Sequence, residues 1–136
     1  PLSAPAVLRP MAPPDALEIA AALARIGWPP RDGLYARYLE EQARGEREVW
    51  VAQVEGGVAG YLSVLWETGY PPFRDAGIPE ICDLNVWPEF RRRGIATALM
   101  DRAEARIATR SDVAGIGVGM YPDYGPAQIL YVRRGY

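Results

Sequence analysis

Leu84-Asn85-Val86-Trp87-Pro88-Glu89-Phe90-Arg91-Arg92-Arg93-Gly94-Ile95-Ala96-Thr97 is the stretch on which the fold turns. A strand closes at Val86, because Pro88 has no N–H with which to continue a ladder. From Gly94 a helix follows, and Ile95, Ala98, Leu99, Ala103 and Ile107 recur at the spacing of one apolar face. A strand, a tight turn and a helix in that order gather free backbone N–H groups and the positive end of a helix dipole at one point, which is an anion site. Arg91, Arg92 and Arg93 oppose that dipole by about 0.3–1 kcal/mol per charge unless a bound anion reverses the sign. Gly94 and Ala96 are small enough to let a bulky diphosphate reach the backbone, so two phosphates are better anchored here than one carboxylate.

Working outward, residues 6–8 read as a first strand. Asp15 can cap a helix in which Ala16, Leu17, Ile19, Ala20, Leu23 and Ile26 are periodic, until Gly27 and Pro29-Pro30 stop it. A second helix is expected over about 32–44. Strand-type residues at 48–54 and 58–65 flank Glu55-Gly56-Gly57 and predict an antiparallel hairpin. Residues 68–78 are aromatic and rich in Pro and Gly, which reads as a long ordered loop. Strands at 79–86 and about 114–120, with a short helix over 127–134, complete a mixed α and β class (α+β) around one central sheet. One domain of 136 residues is expected.

Composition removes most catalytic chemistries. The chain has no His, and all 15 of its basic residues are Arg. Ser-His-Asp and Cys-His nucleophile systems, Lys Schiff bases, the P-loop and His-containing zinc sites are therefore excluded. A single cysteine, Cys82, allows neither an intrachain disulfide nor a four-cysteine cluster, and no metal is expected. The formal net charge of -2 gives no field that would recruit nucleic acid. No stretch approaches the roughly 18 consecutive apolar residues that cross a bilayer, so a cytoplasmic protein without membrane partners is expected. What remains for chemistry is Asp, Glu, Tyr, Ser, Arg, backbone amides and a cofactor. Gly115-Ile116-Gly117-Val118-Gly119 lies inside a strand and lacks the Gly-x-Gly-x-x-Gly spacing of a Rossmann turn.

Two motifs carry a resemblance. Arg91-x-x-Gly94-x-Ala96, after a strand and opening an amphipathic helix, resembles the Gln/Arg-x-x-Gly-x-Gly/Ala pyrophosphate loop of the GNAT superfamily of N-acyltransferases. Ala127-x-x-Leu130-Tyr131-x-x-x-Gly135-Tyr136 is similar to the superfamily's last common motif, and the spacing between the two also fits. The resemblance covers essentially the whole chain. It implies a single domain with a mostly antiparallel sheet, a splayed parallel strand pair and helices on both faces. Family chains usually continue one or two strands beyond Gly-Phe/Tyr, strands that often complete the acceptor pocket or a dimer interface. A C-terminal truncation is therefore expected, and a homodimer is among the assemblies allowed.

The resemblance further implies acetyl-CoA as cosubstrate. Backbone groups of Leu84, Asn85 and Val86 would pair with its pantetheine arm as a false strand, and the amides of Arg91, Arg92, Arg93, Gly94, Ile95, Ala96 and Thr97 would hold its pyrophosphate. Tyr131 matches the usual general acid, and a phenol of ordinary pKa near about 10 is protonated at neutral pH. Glu80, eleven residues before Arg91, matches the family's glutamate base. Asp83 competes with it, as does a water chain. Three residues apart on a regular strand, Glu80 and Asp83 would face opposite ways, so both would not serve one cleft. Cys82 reads as a small core residue, which favours direct transfer over an acyl-cysteine. The family often has Asn where Tyr124 stands, so that contact to the cofactor arm is not carried over.

The acceptor is expected to be a primary amine of a small molecule or peptide. Tyr35, Tyr38, Trp66, Tyr70 and Phe73 are candidates to surround it, with Glu67 and Asp75 to attract a cation. The reading is an N-acetyltransferase acting in a ternary complex. Its alternative is a catalytically inactive acyl-CoA-binding module, which would bind CoA equally well.

Overall fold

Glu55 and Gly56 both adopt positive φ, 51° and 85°. That is the two-residue geometry whose twist matches its flanking strands, and it joins strand β2 (Arg47–Val54) to β3 (Gly57–Leu65) in the expected antiparallel hairpin. Around it the computed structural model, which describes residues 5–117 and the backbone of residues 128–131, builds a six-stranded sheet in the order β1-β2-β3-β4-β5-β6. Strand β1 (Val7–Pro10) pairs antiparallel with β2, and β4 (Glu80–Val86) pairs antiparallel with β3. Strand β5 (Val113–Ile116) runs parallel to β4, and β6 (Gln128–Tyr131) returns antiparallel to β5.

Helices α1 (Pro13–Ile26) and α2 (Leu34–Ala43) cover one face, where Ile19, Leu23 and Tyr35 pack with Val49, Val51 and Trp87. Helix α4 (Ile95–Ile107) covers the other through Ile95, Leu99, Ala103 and Ile107, the stripe expected from its spacing. Burying Ile95, Leu99 and Ile107 contributes roughly 1.5–3 kcal/mol each. Gly94 at the N-cap offers no side-chain acceptor, which costs only about a few tenths of a kcal/mol, so packing holds α4 in place while no side chain among the described residues closes on its first amides.

Three local expectations are corrected. Asp15 is the third residue of α1 rather than its cap: Ala12 precedes the helix, and its N–H donates to the Asp15 carboxylate (2.7 Å). Arg9 closes on the same carboxylate with both terminal nitrogens (2.7 and 2.8 Å). Within the expected loop 68–78, Pro71–Ala76 forms helix α3, because two prolines preset its first turn and Gly77 (φ 70°) ends it. The segment expected as a helix over 127–134 contains β6 instead. Gln-Ile-Leu-Tyr is a strand-type run, and it pairs along the edge of β5 that β4 leaves free. Residues 118–127 and 132–136, which include the end of the expected strand 114–120, Tyr124 and Gly135-Tyr136, lie outside the described residues. Among those described, no helix is long and apolar enough to cross a membrane.

Candidate active site

Strand β4 does not stay regular. Tyr61 pairs with Asn85, but Ser63 pairs with Cys82, so β4 carries one extra residue, a bulge at Asp83 and Leu84. Asp83 takes φ 54°, a left-handed conformation that Asp accepts more readily than most residues. Gly60 permits the bulge from the β3 side, since a Cβ there would sit 2.5 Å from the Asn85 carbonyl oxygen.

The bulge overturns the expected separation of Glu80 from Asp83. Regular pleating would put them on opposite faces; the extra residue turns Asp83 back, and Glu80, Cys82 and Asp83 all line one cavity of about 710 Å³ between α2, α3 and the sheet. A second cavity, about 280 Å³, lies along β4 towards α4 and is bordered by Leu84, Asn85, Met100 and Ile116. The two meet at Arg31, Cys82, Asp83 and Gly117. The parallel ladder explains the second opening. It joins Glu80 to Gly115 and Ile81 to Ile116, and Gly117 N–H donates to the Ile81 carbonyl (3.0 Å). Beyond Ile81, that edge of β4 has no ladder partner among the described residues.

The two carboxylates at the junction differ in how they are held. Asp83 accepts from Arg31 (2.7 Å), Tyr38 (2.8 Å), Tyr61 (3.1 Å) and Asn85 (2.9 Å). Burial, and then the negative charge of Asp83, push the Tyr38 and Tyr61 phenols well above their ordinary range, so both remain donors. Glu80 accepts from the buried Thr68 hydroxyl, and its other oxygen lies against Gly117 where any Cβ would collide with it. Burial pushes the Cys82 thiol up to about 11 despite Arg47 nearby (Nη1 to Sγ 3.9 Å). Cys82 is half-buried at the cavity wall, not a sealed core residue.

At the far end of β4, Pro88–Phe90 makes one 3-10 turn, and Arg92 (φ 64°) and Gly94 (φ 76°) are both left-handed before α4 begins. No side chain caps α4, and its first turn holds no acidic residue. Arg91 donates to the Val86 carbonyl (3.4 Å) and lies near the Trp28 ring, while Arg93 lies near Phe90. Leu84 is 37% exposed, Val86 is buried, and the Asn85 side chain turns away to Tyr61 and Asp83. An uncapped, arginine-flanked helix start at the end of an unladdered strand edge fits an extended ligand that has amides at one end and phosphates at the other.

The expected aromatic and acidic acceptor pocket is not what forms. Tyr35 and Phe73 are buried, and Trp66 lies under Arg110. Glu67 is exposed and Asp75 pairs with Arg74; neither lines the cavity. Tyr38 and Tyr70 do line it, with three arginines, Arg31, Arg37 and Arg47. These arginines and Thr68 were missed. The signal for some was present: Arg31 and Tyr35 are four apart, and Leu34, Arg37 and Tyr38 share one face of α2. Tyr131 lies on β6 opposite Val113, and its side chain is outside the described residues. Among the described residues no group of His, Cys, Asp and Glu is placed to hold a metal.

The family described as "Acetyltransferase (GNAT) domain" matches residues 45–136. Comparison with curated proteins gives no match. Solved structures share the fold. An N-acetyltransferase from Staphylococcus aureus Mu50 aligns at a TM-score of 0.65 and 20% identity, over 82% of this chain and 72% of that one. The protein yncA from Salmonella typhimurium, solved with its cofactor acetyl-CoA, aligns at 0.61 and 23%, over 82% and 69%. An aminoglycoside 6'-N-acetyltransferase complexed with coenzyme A aligns at 0.62 and 21%, over 82% and 61%. With more than half of its length matched by the family, the chain belongs to the GNAT acetyltransferases and is an acyltransferase.

Proposed function

We propose that this protein is a cytoplasmic N-acetyltransferase that moves an acetyl group from acetyl-CoA to a primary amine of a small molecule or peptide, directly, in a ternary complex. The observation that carries the reading is the junction of two cavities at the β4 bulge, one running along the open strand edge to the α4 N-terminus and the other enclosing Glu80. Acetyl-CoA, when bound, supplies the activated acyl group as a thioester. Backbone groups of Leu84, Asn85 and Val86 would align its arm, and the amides of residues 91–97, of which that of Arg91 already donates to the Pro88 carbonyl (3.3 Å), would with the three arginines hold its phosphates.

Proton handling falls to few groups. Glu80 takes the proton of the incoming ammonium, directly or through water; its one hydrogen-bond partner among the described residues, the neutral Thr68 hydroxyl, leaves the carboxylate available. Asp83 is engaged by four donors, which supports a positioning role in place of the base role it competed for. Tyr131 donates a proton to the departing sulfur, a role carried by the motif resemblance. Cys82 supports direct transfer, because with its thiol at about 11 almost none is thiolate at neutral pH.

The test is thiol release from acetyl-CoA with a panel of primary amines, beside thermal stabilisation by acetyl-CoA. Glu80→Gln and Tyr131→Phe should each lower kcat by about a hundredfold or more and keep the stabilisation. Stabilisation of about 2.7 kcal/mol is expected at a hundredfold excess over Kd, and its absence refutes the reading. Stabilisation with no thiol release for any amine makes the chain an inactive acyl-CoA-binding module.

A further inference from the structure

The charges around the larger cavity leave two groups unmatched. Arg31 is neutralised by Asp83 (2.7 Å) and Arg47 by Glu41 (2.8 Å). Among the described residues Glu80 meets only the neutral Thr68 hydroxyl. Arg37, on the cavity wall from α2, is exposed and has no ion-pair partner among the described residues. One carboxylate set against Gly117 of the junction and one guanidinium elsewhere on the wall, both uncommitted among the described residues, make a dipolar container of a single cavity of about 710 Å³. A simple cationic amine would satisfy Glu80 and leave Arg37 without a counter-charge.

We infer that the acceptor is zwitterionic: a primary amine that also carries a carboxylate, as in an amino acid or a small peptide, with the ammonium at Glu80 and the carboxylate at Arg37. The inference rests on the acetyltransferase reading and names its substrate class. Charge matching drives it. Arg presents a planar fork that binds a carboxylate through two parallel N–H bonds. Tyr70, 44% exposed on the same wall, covers the apolar part of such a molecule. Arg37 touches neither the reacting carbonyl nor the sulfur, so it sets affinity and orientation and leaves the chemistry to other groups.

Thiol release from acetyl-CoA is measured on matched sets: an amino acid, its carboxamide, and the decarboxylated amine, each with a small and a large side chain. The amino acid should lead both relatives in kcat/KM by about tenfold, the fold-change that one charge-assisted hydrogen bond supplies. Arg37→Gln should shrink that lead to about twofold or less through KM, and Arg37→Lys should restore part of it. Because Arg37 is exposed, both variants should keep the wild-type stabilisation by acetyl-CoA, which checks the fold. Rates led by the amide or the decarboxylated amine, or a lead that survives Arg37→Gln, overturn the zwitterion and leave the acetyltransferase standing. Acetyl-CoA binding with no thiol release from any set overturns both.

Discussion

Asp83→Asn removes one charge from the β4 bulge and preserves its shape, which makes it the sharpest probe of how the site is held together. The Arg31–Asp83 pair is 2.7 Å long, with side chains 22% and 14% exposed. An exposed pair contributes about 0–1 kcal/mol, whereas breaking a buried one costs about 3–5 kcal/mol. This pair lies between those limits, and the asparagine keeps an oxygen for Arg31 and Asn85 and turns its amide to the Tyr38 and Tyr61 oxygens. Roughly 2 kcal/mol of stability is therefore lost. Asp83→Ala loses those hydrogen bonds as well, and it lacks the tolerance of Asp and Asn for φ 54°, so the loss rises to about 3–4 kcal/mol.

Urea unfolding reads both. With a slope of about 2 kcal/mol per molar, the midpoint falls by about 1 M for Asn and nearly 2 M for Ala. A double-mutant cycle with Arg31→Gln should return a coupling of about 1 kcal/mol or more. An asparagine variant within about 0.25 M of wild type would show that the pair behaves as a solvated one. Equal midpoints for Asn and Ala would refute the conformational part of the reasoning.

Other consequences follow from single contacts. Asp15 is almost fully buried; burial raises its carboxyl, but the Arg9 hydrogen bonds and the Ala12 N–H outweigh it and hold the group below its ordinary 3.8. Because the folded value is the lower one, this stability is complete above about pH 5 and is lost progressively as pH falls through 3.8 and then through the lower folded value; Asp15→Asn should flatten the acid limb of unfolding between about pH 5 and 2, and an unchanged limb would count against the pairing. Gly117→Ala should push the Glu80 carboxylate from its place and lower kcat with stabilisation by acetyl-CoA retained; wild-type kcat would mean that the position of Glu80 does not matter to the reaction. Alkylation of Cys82 by iodoacetamide should be slow at neutral pH and climb about tenfold per pH unit towards 11, and a plateau near pH 8.5 would indicate an ordinary, open thiol.

What could be read in advance was whatever depends on local chemistry. The ladder ends before Pro88, the hairpin turns at Glu55-Gly56, and the α4 stripe of Ile95, Leu99, Ala103 and Ile107 follows from spacing alone. The pyrophosphate-type loop is local in the same sense, since Gly94 must be left-handed for α4 to start where it does. Failures came where distant segments decide. The 127–131 stretch is compatible with helix or strand by composition, and the free edge of β5 chose strand for 128–131. Trp66 and Phe73 looked like pocket aromatics, but Arg110 covers the first and Gly115 leaves room for the second to be buried.

The most consequential miss is the bulge, because a period of two cannot say which residue of a strand will break it. Its one sequence signal is an Asp in mid-strand, and that is equally a signal for a catalytic carboxylate. The two meanings separate only when partners are seen: among the described residues four donors on Asp83 make it a fixed point, while Glu80 accepts from one hydroxyl. The same inserted residue then does two jobs at once. It places the consecutive residues Cys82 and Asp83 on one cavity wall, and it leaves Leu84 and Asn85 bordering the second cavity. A straight β4 would pair evenly with β3 and present Glu80 and Asp83 to opposite faces, so the two would not line one cavity. If the proposed transfer holds, Asp83 serves it through backbone shape more than through its proton, and asparagine should keep far more activity there than alanine.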